Sequence, residues 1–88
     1  MKTYKINEEI EINELDNELI IIVPQTEKMF FCNKIIKELV YGFRDGLNVE
    51  QLALLLLSKY DIDRRTIESD IQEALENLVH YKILIREE

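Results

Sequence analysis

Cys32 and His80 are the only thiol and the only imidazole in the chain, and a Cys–His pair is the minimum for thiol catalysis. Their surroundings do not support that chemistry. Cys32 closes an apolar run, Met29-Phe30-Phe31-Cys32, with no glycine-rich oxyanion turn beside it, so it reads as a small core hydrophobe. His80 falls in the last turn of a helical pattern, where an imidazole suits the helix dipole. One Cys and one His cannot complete a four-ligand zinc site, so no metal is implied. The carboxylates Glu8, Glu9, Glu11, Glu14, Asp16 and Glu18 are scattered along strand and turn surfaces. Such runs are ordinarily solvated faces rather than acid–base pairs. Gly42 and Gly46 are the only glycines, and no phosphate-cradling G-K-[ST] spacing accompanies them. No catalytic constellation survives, no cofactor is implied, and the chain is expected not to be an enzyme.

The elements around these residues follow from periodicity. Tyr4, Ile6, Ile10 and Ile12 alternate with polar residues, broken only by Glu8, which is the period of a half-buried strand. Asp16-Asn17 signals a turn. Leu19–Val23, apolar throughout, is the expected central strand, and Pro24 ends it because it has no N–H for the ladder. Met29–Cys32 then makes a third strand, and the three form an antiparallel meander.

From Asn33 the pattern becomes helical. Ile35, Ile36, Leu39, Val40 and Phe43 form the stripe of a first helix that stops by Gly46. Asn48-Val49-Glu50-Gln51 resembles a capping box opening a second, in which Val49, Leu52, Ala53, Leu56 and Tyr60 share a face. Leu54, pointing nearly opposite, and Leu57 suggest an apolar contact surface, although an isolated exposed leucine explains Leu54 equally well. A third helix starts around Asp63–Thr66 and carries Ile67, Ile71, Ala74, Leu75, Leu78 and Tyr81 at helical spacing. Ile83–Ile85 is a short strand or a packed tail. The expectation is one α+β domain over 1–88: strands within about 4–32, helices within about 33–81 and a tail at 82–88. Its architecture is a three-stranded antiparallel sheet followed by a three-helix winged helix-turn-helix.

Bulk properties narrow the function. A chain of 88 residues buries only roughly 60–65% of its unfolded surface, too little for both a core and an enclosed active site. The longest apolar runs, Leu19–Pro24 and Leu52–Leu57, are far short of the about 20 residues that span a bilayer. The charged N-terminus does not read as a signal peptide, and a lone cysteine suits a reducing compartment, so a cytoplasmic setting is expected. A net charge of −7 works against nucleic acid and against anionic membranes. The third helix has Glu68, Asp70, Glu73 and Glu76 but no Lys or Arg from Thr66 to Tyr81. Carboxylates on a recognition helix repel the phosphates it must pass between, and only Arg64 and Arg65 stand at its start.

The sheet remains. Three strands in a small domain leave edges, and an unpaired edge recruits another strand unless it is blunted. If Met29–Cys32 lies at an edge, with Phe side chains on either face, it offers β-augmentation of a bound peptide. If the tail covers that edge, Phe30 and Phe31 are ordinary core.

The segment Leu19-Ile20-Ile21-Ile22-Val23-Pro24-Gln25 followed by Met29-Phe30-Phe31-Cys32-Asn33 resembles the strand–Pro–strand–Leu/Cys-Asn stretch of PqqD-like proteins. Asp45-Gly46-Leu47-Asn48-Val49-Glu50-Gln51-Leu52 is similar to their DG turn and second helix, and Ile67–Ile71 with Ala74–Leu78 to their third helix. The likeness runs from about Ile6 to Ile85. These proteins are peptide chaperones, or RiPP recognition elements. The resemblance implies that the leader of a ribosomally made precursor peptide adds as a strand beside Lys28, Met29, Phe30, Phe31 and Cys32. Its side chains would settle against the third helix at Asp70, Gln72, Leu75 and Val79. It further implies action in trans for a radical SAM enzyme or a leader peptidase, as in lasso-peptide pathways. Lys82 departs from the family, which often has glycine there, and Gln25 replaces a common Glu. The rival class is a winged-helix transcriptional regulator or a protein that binds one.

Overall fold

The computed structural model describes residues 3–16 and 18–87. Its elements run β1 (Thr3–Ile6), β2 (Glu11–Leu15), β3 (Glu18–Val23), β4 (Lys28–Cys32), α1 (Lys34–Arg44), α2 (Val49–Lys59), α3 (Arg64–His80) and β5 (Leu84–Glu87). The expected antiparallel meander is the sheet β2-β3-β4, and the three helices follow it.

The first strand differs from expectation. The alternating stretch from Tyr4 to Asn13 is two strands, divided at Asn7–Ile10, and β1 leaves the meander to pair with β5. The reason lies in Asn7, which is almost fully buried. Its Nδ2 donates to the Lys82 carbonyl at 2.8 Å, while its Oδ1 accepts from the Glu9 amide at 3.0 Å. The side chain thus satisfies backbone groups at a bend and pins that bend to the C-terminal segment. Ile83–Ile85, left open between strand and tail, accordingly divides. Ile83 is buried, while Leu84 and Ile85 pair with Ile6 and Lys5.

Each helix begins at a side-chain cap. Asn33 accepts from the Ile36 amide, and Asp63 from that of Thr66. The bonds from Thr66 hold the Asp63 carboxyl below its ordinary pKa. Asn48 and Gln51 exchange reciprocal bonds at 2.8 and 2.9 Å, completing the capping box. The C-termini of α1 and α3 share one device. At α1, Gly46 and Leu47 donate to Phe43 and Gly42; at α3, Lys82 and Ile83 donate to Val79 and Leu78. Both are Schellman motifs, which need a left-handed residue after the cap. Gly46 supplies it at φ +87°, whereas Lys82 adopts it at φ +64° with a side chain.

The core joins the inner face of the meander (Leu19, Ile21, Val23) to Leu39, Val40, Leu52, Leu56, Ile67, Ile71 and Leu78. Leu54 is 56% exposed, as its position opposite the stripe requires. A Cβ on Gly42 would stand 2.1 Å from a Leu52 methyl, so α1 and α2 approach at a point where only glycine fits. Lys37 of α1 pairs with Glu14 of β2 at 2.8 Å and ties the helices to the sheet. That hydrogen bond and charge lower the Glu14 pKa and raise that of Lys37. Asn17, half of the expected turn, lies outside the described residues. Asp16 has φ +50° and the connection brings Leu15 opposite Glu18.

Candidate peptide-binding edge

Strand order β2-β3-β4 leaves β4 at the edge, and among the described residues no strand pairs with its outer side. Which of its backbone groups face outward follows from the register. A two-residue hairpin loop closes on a hydrogen-bonded pair, here Leu15 and Glu18. Bonding direction alternates along an antiparallel strand. Glu18, Ile20 and Ile22 therefore bond to β2, and Leu19, Ile21 and Val23 bond to β4. Their partners there are Cys32, Phe30 and Lys28. Met29 and Phe31 consequently direct both N–H and C=O away from the sheet.

The side chains of β4 divide the same way. Phe30 and Cys32 share the face of the buried Ile21 and Leu19. Met29 and Phe31 lie on the other face, 57% and 66% exposed. Phenylalanines therefore stand on both faces of an edge strand, as its sequence suggested. Burial pushes the Cys32 thiol up to about 11, so at neutral pH it is a protonated hydrophobe with no thiolate for attack.

Helix α3 meets this edge at its C-terminal end, where Tyr81 lies against Phe30, and faces the start of α1 further back, with a hollow at each place. The first, about 250 Å³, is lined by Asn33 and Ile36 of the β4–α1 junction and by Asp70, Glu73, Ala74 and Asn77 of α3. The second, about 310 Å³, is lined by Thr26, Lys28, Met29, Phe30 and Tyr81. In the wall of the second, Phe30 and Tyr81 meet with ring centroids 5.2 Å apart. An extended peptide along β4 would find main-chain partners at Met29 and Phe31, an acidic recess at one end and an aromatic one at the other.

The expected contact residues of α3 separate. Asp70 lines the first hollow. Leu75 is only 3% exposed and belongs to the core. Gln72 is exposed and donates to Glu76 on the solvent side. Val79 lines a different recess with Asn7, Lys82 and Leu84. The stripe that lines the two hollows is instead Asp70, Glu73, Ala74, Asn77 and Tyr81, which recur every three to four residues. That spacing is visible in the sequence as a face adjoining the core stripe. What is not visible is that the β4–α1 junction lies opposite it across the first hollow.

No protein-family model matches the sequence, and no curated protein matches it. Among solved structures, TbiB1 in complex with the TbiA(beta) leader peptide superposes with a TM-score of 0.85 at 22% identity, covering 91% of this chain and 93% of that one. A lasso peptide synthetase B1 complexed with the leader peptide gives a TM-score of 0.85 at 19% identity, covering 94% and 98%. The fold expected from the PqqD-like resemblance is the fold found, and it is the fold shared by these two peptide-bound proteins.

Proposed function

We propose that this chain is a non-catalytic peptide chaperone. It binds the leader segment of a ribosomally made precursor by strand addition to β4 and presents it to a maturation enzyme. The observation that carries this is the free β4 edge, with Met29 and Phe31 facing outward beside the groove to α3. The bound leaders in the two structures of like fold support it. The leader would contact Lys28–Cys32 through its main chain, with Asp70, Glu73, Asn77 and Tyr81 receiving its side chains.

Magnitudes separate the two contributions. Two outward N–H and two outward C=O groups give at most four main-chain bonds, each worth roughly 0.5–1.5 kcal/mol net. A micromolar complex needs about 8 kcal/mol. Main-chain pairing alone falls short and ignores sequence, so the two hollows must supply the remainder and the selectivity.

The partner enzyme is the leader peptidase of a lasso-type pathway. Structural likeness to a lasso peptide synthetase component favours it over a radical SAM enzyme. The setting is cytoplasmic, where such precursors are made. A transcriptional regulator is the weaker reading, because Asp70, Glu73 and Glu76 lie on α3 and Arg64 is already paired with Glu68 at 2.8 Å.

Proline substitution tests strand addition. Phe31→Pro removes an outward N–H without touching the β3 ladder, and should abolish binding of a fluorescent leader peptide in an anisotropy titration while circular dichroism stays native. Phe31→Ala, which keeps the amide, should retain most of it. Equal affinity for both variants would rule out strand addition.

A further inference from the structure

The edge of β4 leads, at its Lys28 end, to a recess that the proposed leader contacts do not use. The start of β2, the end of β3 and the start of β4 lie together, since Glu11 stands opposite Ile22 and Ile22 opposite Met29. Off this end of the meander is a hollow of about 450 Å³ between the β3–β4 turn, the C-terminus of α3 and β5. Adjacent residues line it and the aromatic hollow: Gln25 and Lys82 face this one, Thr26 and Tyr81 the other. Val79 and Ile85 give it apolar walls, and Lys82 and Arg86 are its cations. Among the described residues that line it, Glu9 is the one anion, and it already accepts from the Gln25 side chain. Lys82 and Arg86 are exposed, and neither side chain forms an ion pair among the described residues. With Lys28 in the wall of the aromatic hollow, they make a run of positive charge in a chain of net charge −7.

Lys82 carries a second, independent mark. Helices α1 and α3 end in the same Schellman turn, and α1 puts Gly46 at its left-handed position. Helix α3 puts Lys82 there, at φ +64°, where a Cβ is disfavoured. A strained position occupied by a long cation at the lip of a groove points to a use for its side chain.

We propose that Lys82 and Arg86 form a cationic subsite for an Asp or Glu side chain that the bound peptide carries just C-terminal to its added strand. The proposal rests on strand addition at β4. Antiparallel pairing is the more stable arrangement, and an antiparallel strand beside β4 runs from the Cys32 end toward Lys28. It leaves the sheet over the aromatic hollow. Because Tyr81 and Lys82 are adjacent, the residues that follow the strand pass directly from that hollow to this one. A carboxylate held there fixes where the strand ends and how the downstream segment is presented. The net charge of −7 repels an acidic peptide at long range, so a preference for an acidic flank has to come from these local cations.

The probe is the segment of the pathway's leader that binding protects from hydrogen exchange. It is labelled and extended at its C-terminal or its N-terminal end by a short run of Glu or of Gln. In anisotropy titrations at low salt, the parent should bind the C-terminal Glu run about three- to tenfold more tightly than the Gln run. Added salt should close that gap by screening. The double substitution Lys82→Asn and Arg86→Gln should remove the gap while holding the Gln-run peptide within about twofold of the parent. Asparagine tolerates the left-handed region, so the turn is kept. Lys82→Gly should narrow the gap although it relieves the turn, a split between stability and affinity that a merely structural lysine would not give. Should the double variant lose its native circular dichroism, Lys82→Asn alone carries the test. Equal parent affinity for the C-terminal Glu and Gln runs, a gap confined to the N-terminal runs, or a gap that survives in the folded variant overturns the subsite and leaves strand addition standing. A parent that binds none of these peptides overturns strand addition and the subsite together.

Discussion

Phe30 and Tyr81 stand with ring centroids 5.2 Å apart and planes inclined at 51°, joining the edge strand β4 to the C-cap of α3. This is the point at which sheet and helix close over one end of the groove. The pair lines the aromatic hollow and also holds that end of α3 against the strand.

Tyr81→Ala should therefore weaken both functions modestly. An aromatic pair contributes about 0.5–1.5 kcal/mol beyond its buried area. Leader affinity should fall about 2- to 10-fold in an anisotropy titration, with a lower thermal midpoint. Tyr81→Phe, which keeps the ring, should restore both.

At Gly42 the expected effect is on folding. With a Leu52 methyl 2.1 Å from the position of an added Cβ, Gly42→Ala must push α1 from α2 or force Leu52 off its rotamer. Overpacking of this kind costs about 1–3 kcal/mol, more than the helix propensity gained. Urea denaturation should show the loss, and in a Leu52→Ala background, itself destabilised by the lost leucine, Gly42→Ala should cost less because the clash is gone.

Lys82 makes the opposite prediction. It holds φ +64° in the Schellman turn that ends α3. A left-handed conformation costs a residue with a Cβ about 1–2 kcal/mol, whereas glycine adopts it freely. Glycine also frees the unfolded chain, which offsets about 0.4–1 kcal/mol. Lys82→Gly should raise stability by about 1 kcal/mol or less, and a lowered thermal midpoint would show that the lysine side chain stabilises the turn.

The Cys32 thiol is pushed up to about 11 by burial, and the sign of its pH effect follows. The unfolded chain releases this proton near pH 8.5, while the folded chain retains it to about 11. Cys32 therefore favours the folded state below pH 8.5, and that contribution is lost as pH rises from there to about 11. Cys32→Ala should cost about 1 kcal/mol at pH 7 and show a shallower fall in urea midpoint between pH 8 and 10. Leader binding at pH 7 should persist, since no thiolate takes part. Slow labelling of the native protein by maleimide at neutral pH is the companion measurement.

Local order was legible in the residues themselves. The Asn48–Gln51 capping box, the helix starts near Asn33 and around Asp63–Thr66, the stop at Gly46 and the buried stripe of α3 all follow from local side-chain chemistry and helical spacing. That Phe30 and Phe31 stand on opposite faces of β4 follows from the period of a strand, whereas Phe30 is the inward one through its pairing with the buried Ile21.

Periodicity sorts side chains into faces, but it does not name the neighbour across each face or each edge. Only the tertiary structure divided the first alternating stretch at Asn7, because the bond from Asn7 to the Lys82 carbonyl joins residues 75 apart in the chain. Only the packing of α3 set Glu73 and Asn77 across from the β4–α1 junction and Tyr81 against Phe30. The outward direction of Met29 and Phe31 was likewise undecided by composition or spacing. Every strand residue has the same backbone donor and acceptor, and their direction is set by the pairing register of the strand beside it.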